Sequence, residues 1–233
     1  MIDESLSLVI ATRNESENIE KIIKELSSVL SRLPLRSEIV VADFSEDNTL
    51  ELAVSAAESC SIKVIPIKLD LPGRGYAVRK GVDASNSNLI CILDGDGNHD
   101  PKYLPKMLKV YEPGSIVAPS RFPPFGWSEE HTFLHFFGNR LMITSFNLLF
   151  GSHISDITNG FYLMSRNDWK ALDLNSVKWS LDVQIICQAM KRGIDIIEIP
   201  YYEPKRQGGH ASLNIVTAFW RISGRLVLEL IKK

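Results

Sequence analysis

Apolar runs of strand length recur along the chain with helical patterns between them. The runs are LSLVIA (6–11), EIVVAD (38–43), IKVIPI (62–67), NLICILD (88–94) and SIVAPS (115–120). Between them lie SENIEKIIKELSSVLSRL (16–33), DNTLELAVSAAES (47–59), GYAVRKGVDAS (75–85) and PKYLPKMLKVY (101–111), each with apolar residues three and four apart. This alternation predicts βαβ units. Strands apolar on both faces imply a mostly parallel sheet with helices on both faces, an α/β fold in which ligands gather at the carboxyl ends of the strands. Asp43 and Asp94 sit at two such ends.

After Ser120 the rhythm breaks. RFPPFGWSEE opens a loop rich in Pro, Gly and aromatic residues, and HTFLHFFGNRLMITSFNLLFG continues as a long apolar stretch with helical spacing. His135, Asn139, Arg140 and Asn147 interrupt it, so a membrane-spanning helix is not expected. GFYLMS (160–165) then reads as a strand, SLDVQIICQAMKRG (180–193) as a helix stopped by Gly193, and IDIIEIP (194–200) as a strand. The tail, SLNIVTAFWRISGRLVLELIKK, predicts an amphipathic helix over 212–233, with Arg221, Arg225, Lys232 and Lys233 among its apolar residues.

Length and composition narrow the class. The 233 residues suit one large domain with an appendage, and 45% hydrophobic with 23% charged residues is the composition of an ordered globular chain. A net charge of −2 argues against nucleic acid as the main partner, since a duplex binder needs an excess of Lys and Arg. Cys60, Cys91 and Cys187 are odd in number and widely spaced, so neither a disulfide framework nor a zinc site is expected. A reducing, cytoplasmic location fits. The acidic start MIDE before a short apolar run does not resemble an export signal.

The densest chemistry is LDGDGNHDP (93–101). Two carboxylates, Asp94 and Asp96, flank one glycine at a strand end, and Asn98 adds an amide carbonyl. Together they can reach one hard divalent cation, Mg²⁺ or Mn²⁺, and the phosphates it bridges. The same residue types also make ordinary turns.

Seven ordered motifs then carry a resemblance. LVIATRNESENI, IVVADFSEDNT, GRGYAVRKG, ILDGDGNHDP, APSRF, SDITNGFYLMSR and IEIPYYEPKRQGGHASL stand in the order found in family 2 glycosyltransferases. The chain most closely resembles those that act on polyprenyl phosphates, of the dolichyl-phosphate mannose synthase type. The resemblance implies a GT-A fold, Rossmann-like, as a catalytic domain over 1–211. Thr12, Arg13, Asn14 and Glu15 match the segment that meets the nucleotide, and Asp43 the acid that contacts base or ribose. The family has two adjacent acids there, where this chain has Asp43 and Phe44.

By the same match Asp96 and Asn98 hold the metal, with Asp94 beside metal and nucleotide. Gly73 and Arg74 bring backbone and a guanidinium near the nucleotide, and Arg121 grips phosphate. Asp156 stands near the acceptor as base or positioning group. Arg206 lies in a loop that closes on the donor; there Ser212 is followed by Leu213 instead of a basic residue.

The resemblance also implies partners: a nucleotide diphosphate sugar, GDP-mannose or UDP-glucose, and a polyprenyl phosphate acceptor. Phe133, Phe136, Phe137, Leu141, Phe146, Leu149, Phe150 and Trp220, with Arg140, Arg221 and Arg225, have the character of an interfacial face, so a peripheral place on the cytoplasmic side of a membrane is expected. The bland alternative is that these helices cover each other, a second copy or a membrane protein. Two other activities remain open. One is transfer to a soluble saccharide or protein hydroxyl, which needs a true base. The other is sugar-1-phosphate nucleotidyl transfer, which wants a Gly-rich turn where this chain has ATRNESEN.

Overall fold

The structure is a computed structural model of the chain, and it describes residues 5–122, 126–129, 132–204, 224–229 and 231. The order is β1 (Ser5–Thr12), α1 (Ile19–Leu30), β2 (Arg36–Asp43), α2 (Thr49–Ser59), β3 (Lys63–Lys68), α3 (Arg74–Ala84) and β4 (Leu89–Asp94). A 3₁₀ turn (Pro101–Tyr103), α4 (Leu104–Val110), β5 (Ser115–Ser120), β6 (Trp127–Ser128) and α5 (Phe133–Phe150) follow. Last come β7 (Tyr162–Ser165), α6 (Arg166–Ala171), α7 (Leu181–Lys191), β8 (Asp195–Pro200) and β9 (Tyr202–Glu203), and residues 224–229 are helical.

Seven strands form one sheet in the order β3-β2-β1-β4-β7-β5-β8, and β6 pairs with β9 in a small second sheet. Every pairing in the large sheet is parallel except those of β7, which runs antiparallel to β4 and β5. That one reversal places the site. An antiparallel strand begins where its neighbours end, so the segment leading into Tyr162 arrives at the carboxyl edge of β4 and β5. The parallel order also reverses between β1 and β4, which opens a crevice at their carboxyl ends.

Side chains alternate across β1. Leu6, Leu8 and Ile10 join one core layer with Ile19, Ile23 and Leu26 of α1 and Leu104 and Met107 of α4. Val9 joins the other with Val78 and Val82 of α3, Met142, Ile143 and Phe146 of α5, and Val183, Ile185 and Ile186 of α7. The α/β expectation of helices on both faces holds. The outer strand β3 carries Pro66, Lys63 and Lys68, residues that suit an edge because they blunt further pairing.

The predicted helix over 16–33 starts at Ile19 instead, because the preceding residues are held elsewhere. The Glu15 amide donates to Thr49 Oγ1 at 2.9 Å, and the Ser16 amide to Asp47 at 3.4 Å. The short elements α6, β6 and β9 have no periodicity long enough to read. Cys91 and Cys187 are buried and all three cysteines are free thiols. The predicted 212–233 helix and its domain boundary lie largely outside the described residues, and among those described no helix is long and apolar enough to cross a membrane.

Leu8 is closed on all sides, so its truncation leaves a cavity. We expect Leu8→Ala to cost about 2–5 kcal/mol, read as a lower urea midpoint at unchanged slope.

Candidate functional site

A cavity of about 770 Å³ opens at the carboxyl ends of β1 and β4. Of the residues singled out from the sequence, Thr12, Arg13, Asn14, Glu15, Gly73, Arg74, Asp94 and Asp96 line it together. Asp43, Asn98, Arg121 and Asp156 are not among its described lining residues, and Arg206 lies outside the described residues.

Arg74 dominates the floor. Its Nε donates to Asp94 Oδ1 at 2.5 Å, Nη1 to Asp182 Oδ1 at 2.9 Å and Nη2 to the Gly160 carbonyl at 3.0 Å. Its side chain is 5% exposed, and the Trp179 ring stacks 5.6 Å from its guanidinium carbon. Burial works against its charge, but Asp182 and Asp94 outweigh that and hold the guanidinium firmly protonated. Two glycines permit close approaches around it. Gly73 adopts φ +136° with Val177 O 2.4 Å from where a Cβ would stand, and at Gly160, φ +83°, a Cβ would meet Arg74 Nη2 at 2.4 Å. The guanidinium expected beside the nucleotide is thus also the clamp on Asp94.

The other end of Asp94 is fixed as well. Its amide donates to His99 Nδ1 at 2.9 Å, which leaves His99 Nε2 to donate to the Asn159 carbonyl at 3.0 Å. His99 also stacks on Phe161 at 5.1 Å. The turn therefore holds its carboxylates in a set direction. Asn98 donates its amide to Asp96 Oδ1 at 3.1 Å, while Asn98 Oδ1 is buried and has no hydrogen-bond partner among the described residues.

These donors fit a hard divalent cation. Asp96 carboxylate and the orphaned Asn98 carbonyl are oxygen ligands of the right kind, and such a cation completes its shell with substrate oxygens. Among the described residues no group of three His, Cys, Asp or Glu that could hold a metal exists.

Asp43, expected at the base or ribose, is held by partners within the protein. Its side chain is fully buried, accepting from Thr12 Oγ1 at 2.8 Å, the Ser45 amide at 3.1 Å, the Ser45 hydroxyl and Lys68 Nζ at 3.1 Å. A carboxylate has about four acceptor sites, and these donors occupy them. Asp43 also braces the cavity wall, because Ser45 Oγ receives the Asn14 amide at 2.8 Å and Asn14 holds φ 56°. Phe44 and Asp47 line the cavity beside it.

Arg121 is paired with two carboxylates. Its Nε and Nη2 grip Asp156 at 2.8 and 3.2 Å, Nη1 reaches Glu203 at 3.3 Å and Nη2 also donates to Thr158 at 3.0 Å. The fork expected on phosphate is filled by carboxylates. Burial pushes the Asp156 carboxyl up, but the charge and hydrogen bonds of Arg121 and the Thr158 amide outweigh it and hold the group below its ordinary range. Glu198 of β8 accepts the Ser155 and Asp156 amides at 3.0 and 3.1 Å, fixing the segment from below.

Asp182, Glu203, His99 and Trp179 escaped the sequence reading. Asp182 had a signal, a carboxylate in the first turn of an otherwise apolar helix, and it is buried on Arg74. Burial and the nearby Asp94 raise its carboxyl above the ordinary value, against the pull of Arg74.

The sequence matches the model of Glycosyl transferase family 2 over residues 7–172. It is 29% identical over 232 residues to the low-salt glycan biosynthesis hexosyltransferase Agl6 of Haloferax volcanii, covering 94% of this chain and 52% of that protein. It is 25% identical to the dolichol-phosphate mannosyltransferase of Pyrococcus furiosus, covering 92% and 60%. Against the undecaprenyl-phosphate mannosyltransferase of Micrococcus luteus identity is 26%, covering 88% and 86%. The chain thus spans between half and two thirds of the first two relatives. Among solved structures, glucosyl-3-phosphoglycerate synthase from Mycobacterium tuberculosis, in complex with Mn²⁺, UDP and phosphoglyceric acid, shares the fold with a TM-score of 0.75 at 19% identity, covering 98% of this chain and 79% of that one.

A carboxyl held below its unfolded value adds stability that is complete above the unfolded pKa, about 3.9, and is lost as pH falls through the folded pKa. We therefore expect Asp156→Asn to cost about 3–5 kcal/mol at pH 7. The gap to wild type should narrow as pH falls below about 4, measured by urea unfolding at pH 7 and pH 3.

Proposed function

The chain belongs to glycosyl transferase family 2, and from that premise we propose that it moves mannose or glucose from GDP-mannose or UDP-glucose to a polyprenyl phosphate, inverting the anomeric centre. It is an enzyme that transfers sugars. In the proposed step an acceptor phosphate oxygen forms a bond to the anomeric carbon, the bond to the donor's diphosphate breaks on the opposite face, and the nucleotide diphosphate leaves. A bound Mg²⁺ or Mn²⁺ would supply charge neutralisation of that leaving group.

Each described residue has a part that follows from its surroundings. Asp96 and Asn98 would hold the cation. Arg74 and His99 fix the turn that carries Asp94, and Thr12 to Glu15 form the nucleotide wall braced by Asp43. Arg206 would add a phosphate contact.

The state of Asp156 carries the choice of acceptor. A saccharide or protein hydroxyl needs a base, and a carboxylate gripped by Arg121 and held below its ordinary range is a poor one. A phosphate acceptor is already an anion at neutral pH and needs none. The relatives named for dolichol phosphate and undecaprenyl phosphate support the same class. A lipid acceptor also gives a role to the exposed face of α5, where Phe137, Leu141, Leu148 and Leu149 stand out from a helix whose Met142, Ile143 and Phe146 are buried. That face suits peripheral contact with a membrane surface.

Radiolabelled transfer from each donor to polyprenyl phosphate, with Mn²⁺, Mg²⁺ or EDTA, tests this reading. We expect metal-dependent label in the lipid from one donor, and a loss of about 10²-fold or more in Asp96→Ala. Metal-dependent release of nucleotide diphosphate with no lipid product would send the acceptor to a soluble phosphate or hydroxyl compound.

A further inference from the structure

Residues 175–179 form a strap between the cavity and the helical residues 224–229. At one end the Val177 carbonyl accepts the Tyr76 amide at 2.9 Å, and the strap lies flat on the first turn of α3. A Cβ at Gly75 would stand 2.5 Å from the Ser176 carbonyl oxygen and 2.9 Å from that of Lys178, so only glycine allows this approach. Trp179 follows directly. It lines the cavity and stacks on the Arg74 guanidinium.

At the other end Arg225 Nη2 donates to Asn175 Oδ1 at 2.9 Å. Arg225 is itself anchored, because the same nitrogen lies 2.6 Å from the buried Glu229 carboxylate, which also takes Lys191 Nζ of α7 at 3.2 Å. Leu226 is buried in the core layer of α5 and α7. Gln184 steadies the strap by accepting the Asn175 and Ser176 amides at 3.1 and 2.9 Å. Neither Arg225 nor Asn175 is among the described residues that line the cavity.

We propose that Arg225 is a positioning residue for the donor site: through Asn175 it fixes the strap that holds Trp179 against Arg74 at the cavity wall. The proposal rests on the sugar-nucleotide reading above. The strap has no regular secondary structure, so its place is set by these few bonds. Without the Arg225 bond the task of ordering Trp179 falls on the arriving nucleotide diphosphate, and its affinity drops.

Calorimetric titration of the full chain with UDP and with GDP, in the presence of Mn²⁺, reads this without turnover. Asn175→Ala removes the acceptor and leaves the Arg225 and Glu229 pair in place. It should bind the nucleotide that wild type prefers about three-fold or more weakly, and so should Arg225→Met. The double variant should be no weaker than the worse single one, because both changes break the same bond. Asn175→Asp keeps the acceptor and should stay within about two-fold of wild type. Trp179→Ala should lose at least as much as Asn175→Ala.

A merely structural role would lower the urea midpoint of Arg225→Met and leave the affinity of the folded protein unchanged. That result, wild-type affinity in Asn175→Ala or Trp179→Ala, or single losses that multiply in the double variant, overturns the proposal. Should Arg225→Met fail to fold by circular dichroism, Asn175→Ala set against Asn175→Asp decides. Failure of the sugar-nucleotide reading looks different: wild type binds neither UDP nor GDP, with or without Mn²⁺, and the proposal falls with it.

Discussion

One buried guanidinium holds the site together. An unpaired charge in the interior is costly, so Arg74 is tolerable only because Asp94, Asp182 and the Gly160 carbonyl surround it. Those partners come from the end of β4, the first turn of α7 and the segment before β7, while Arg74 opens α3. Four elements are thereby fixed to each other by one side chain. The sheet places them nearby, and the ion pairs choose the arrangement in which Asp94 faces the cavity.

The reversed strand β7 makes this possible. Its antiparallel entry brings residues 155–161 to the edge where β4 and β5 end, and both buried arginines use that segment. Arg121 takes Asp156 and Glu203, joining it to β9, while Arg74 takes the Gly160 carbonyl. His99 links the two halves by bonding the Asp94 amide and the Asn159 carbonyl. Without that segment Arg74 would lose the Gly160 carbonyl, and Arg121 would lose Asp156.

Much of this was legible in the sequence, for physical reasons. Strands buried on both faces must be apolar throughout, so β1, β2, β4 and β5 show as runs ending at the residues the structure assigns, give or take a turn. The turn at Asp94 and Asp96 is local, and local chemistry survives in one dimension. Pairing across distance was not legible. Nothing in one dimension shows that Asp43 accepts from Lys68 and Ser45, or that Arg121 pairs with Asp156 and Glu203. Asp182 lies far along the chain from Arg74, and no spacing rule links them.

A double-mutant cycle between Arg74 and Asp182, using Arg74→Met and Asp182→Leu alone and together, tests the central interaction most directly. If the guanidinium organises the site, Arg74→Met leaves Asp182 buried without its partner, and adding Asp182→Leu relieves that. Urea unfolding should then give a coupling energy of about 2–3 kcal/mol, with the double variant close in stability to the worse single one or better. Additive losses, with coupling below about 0.5 kcal/mol, would mean that the two residues act independently and that Asp94 is oriented by something other than Arg74.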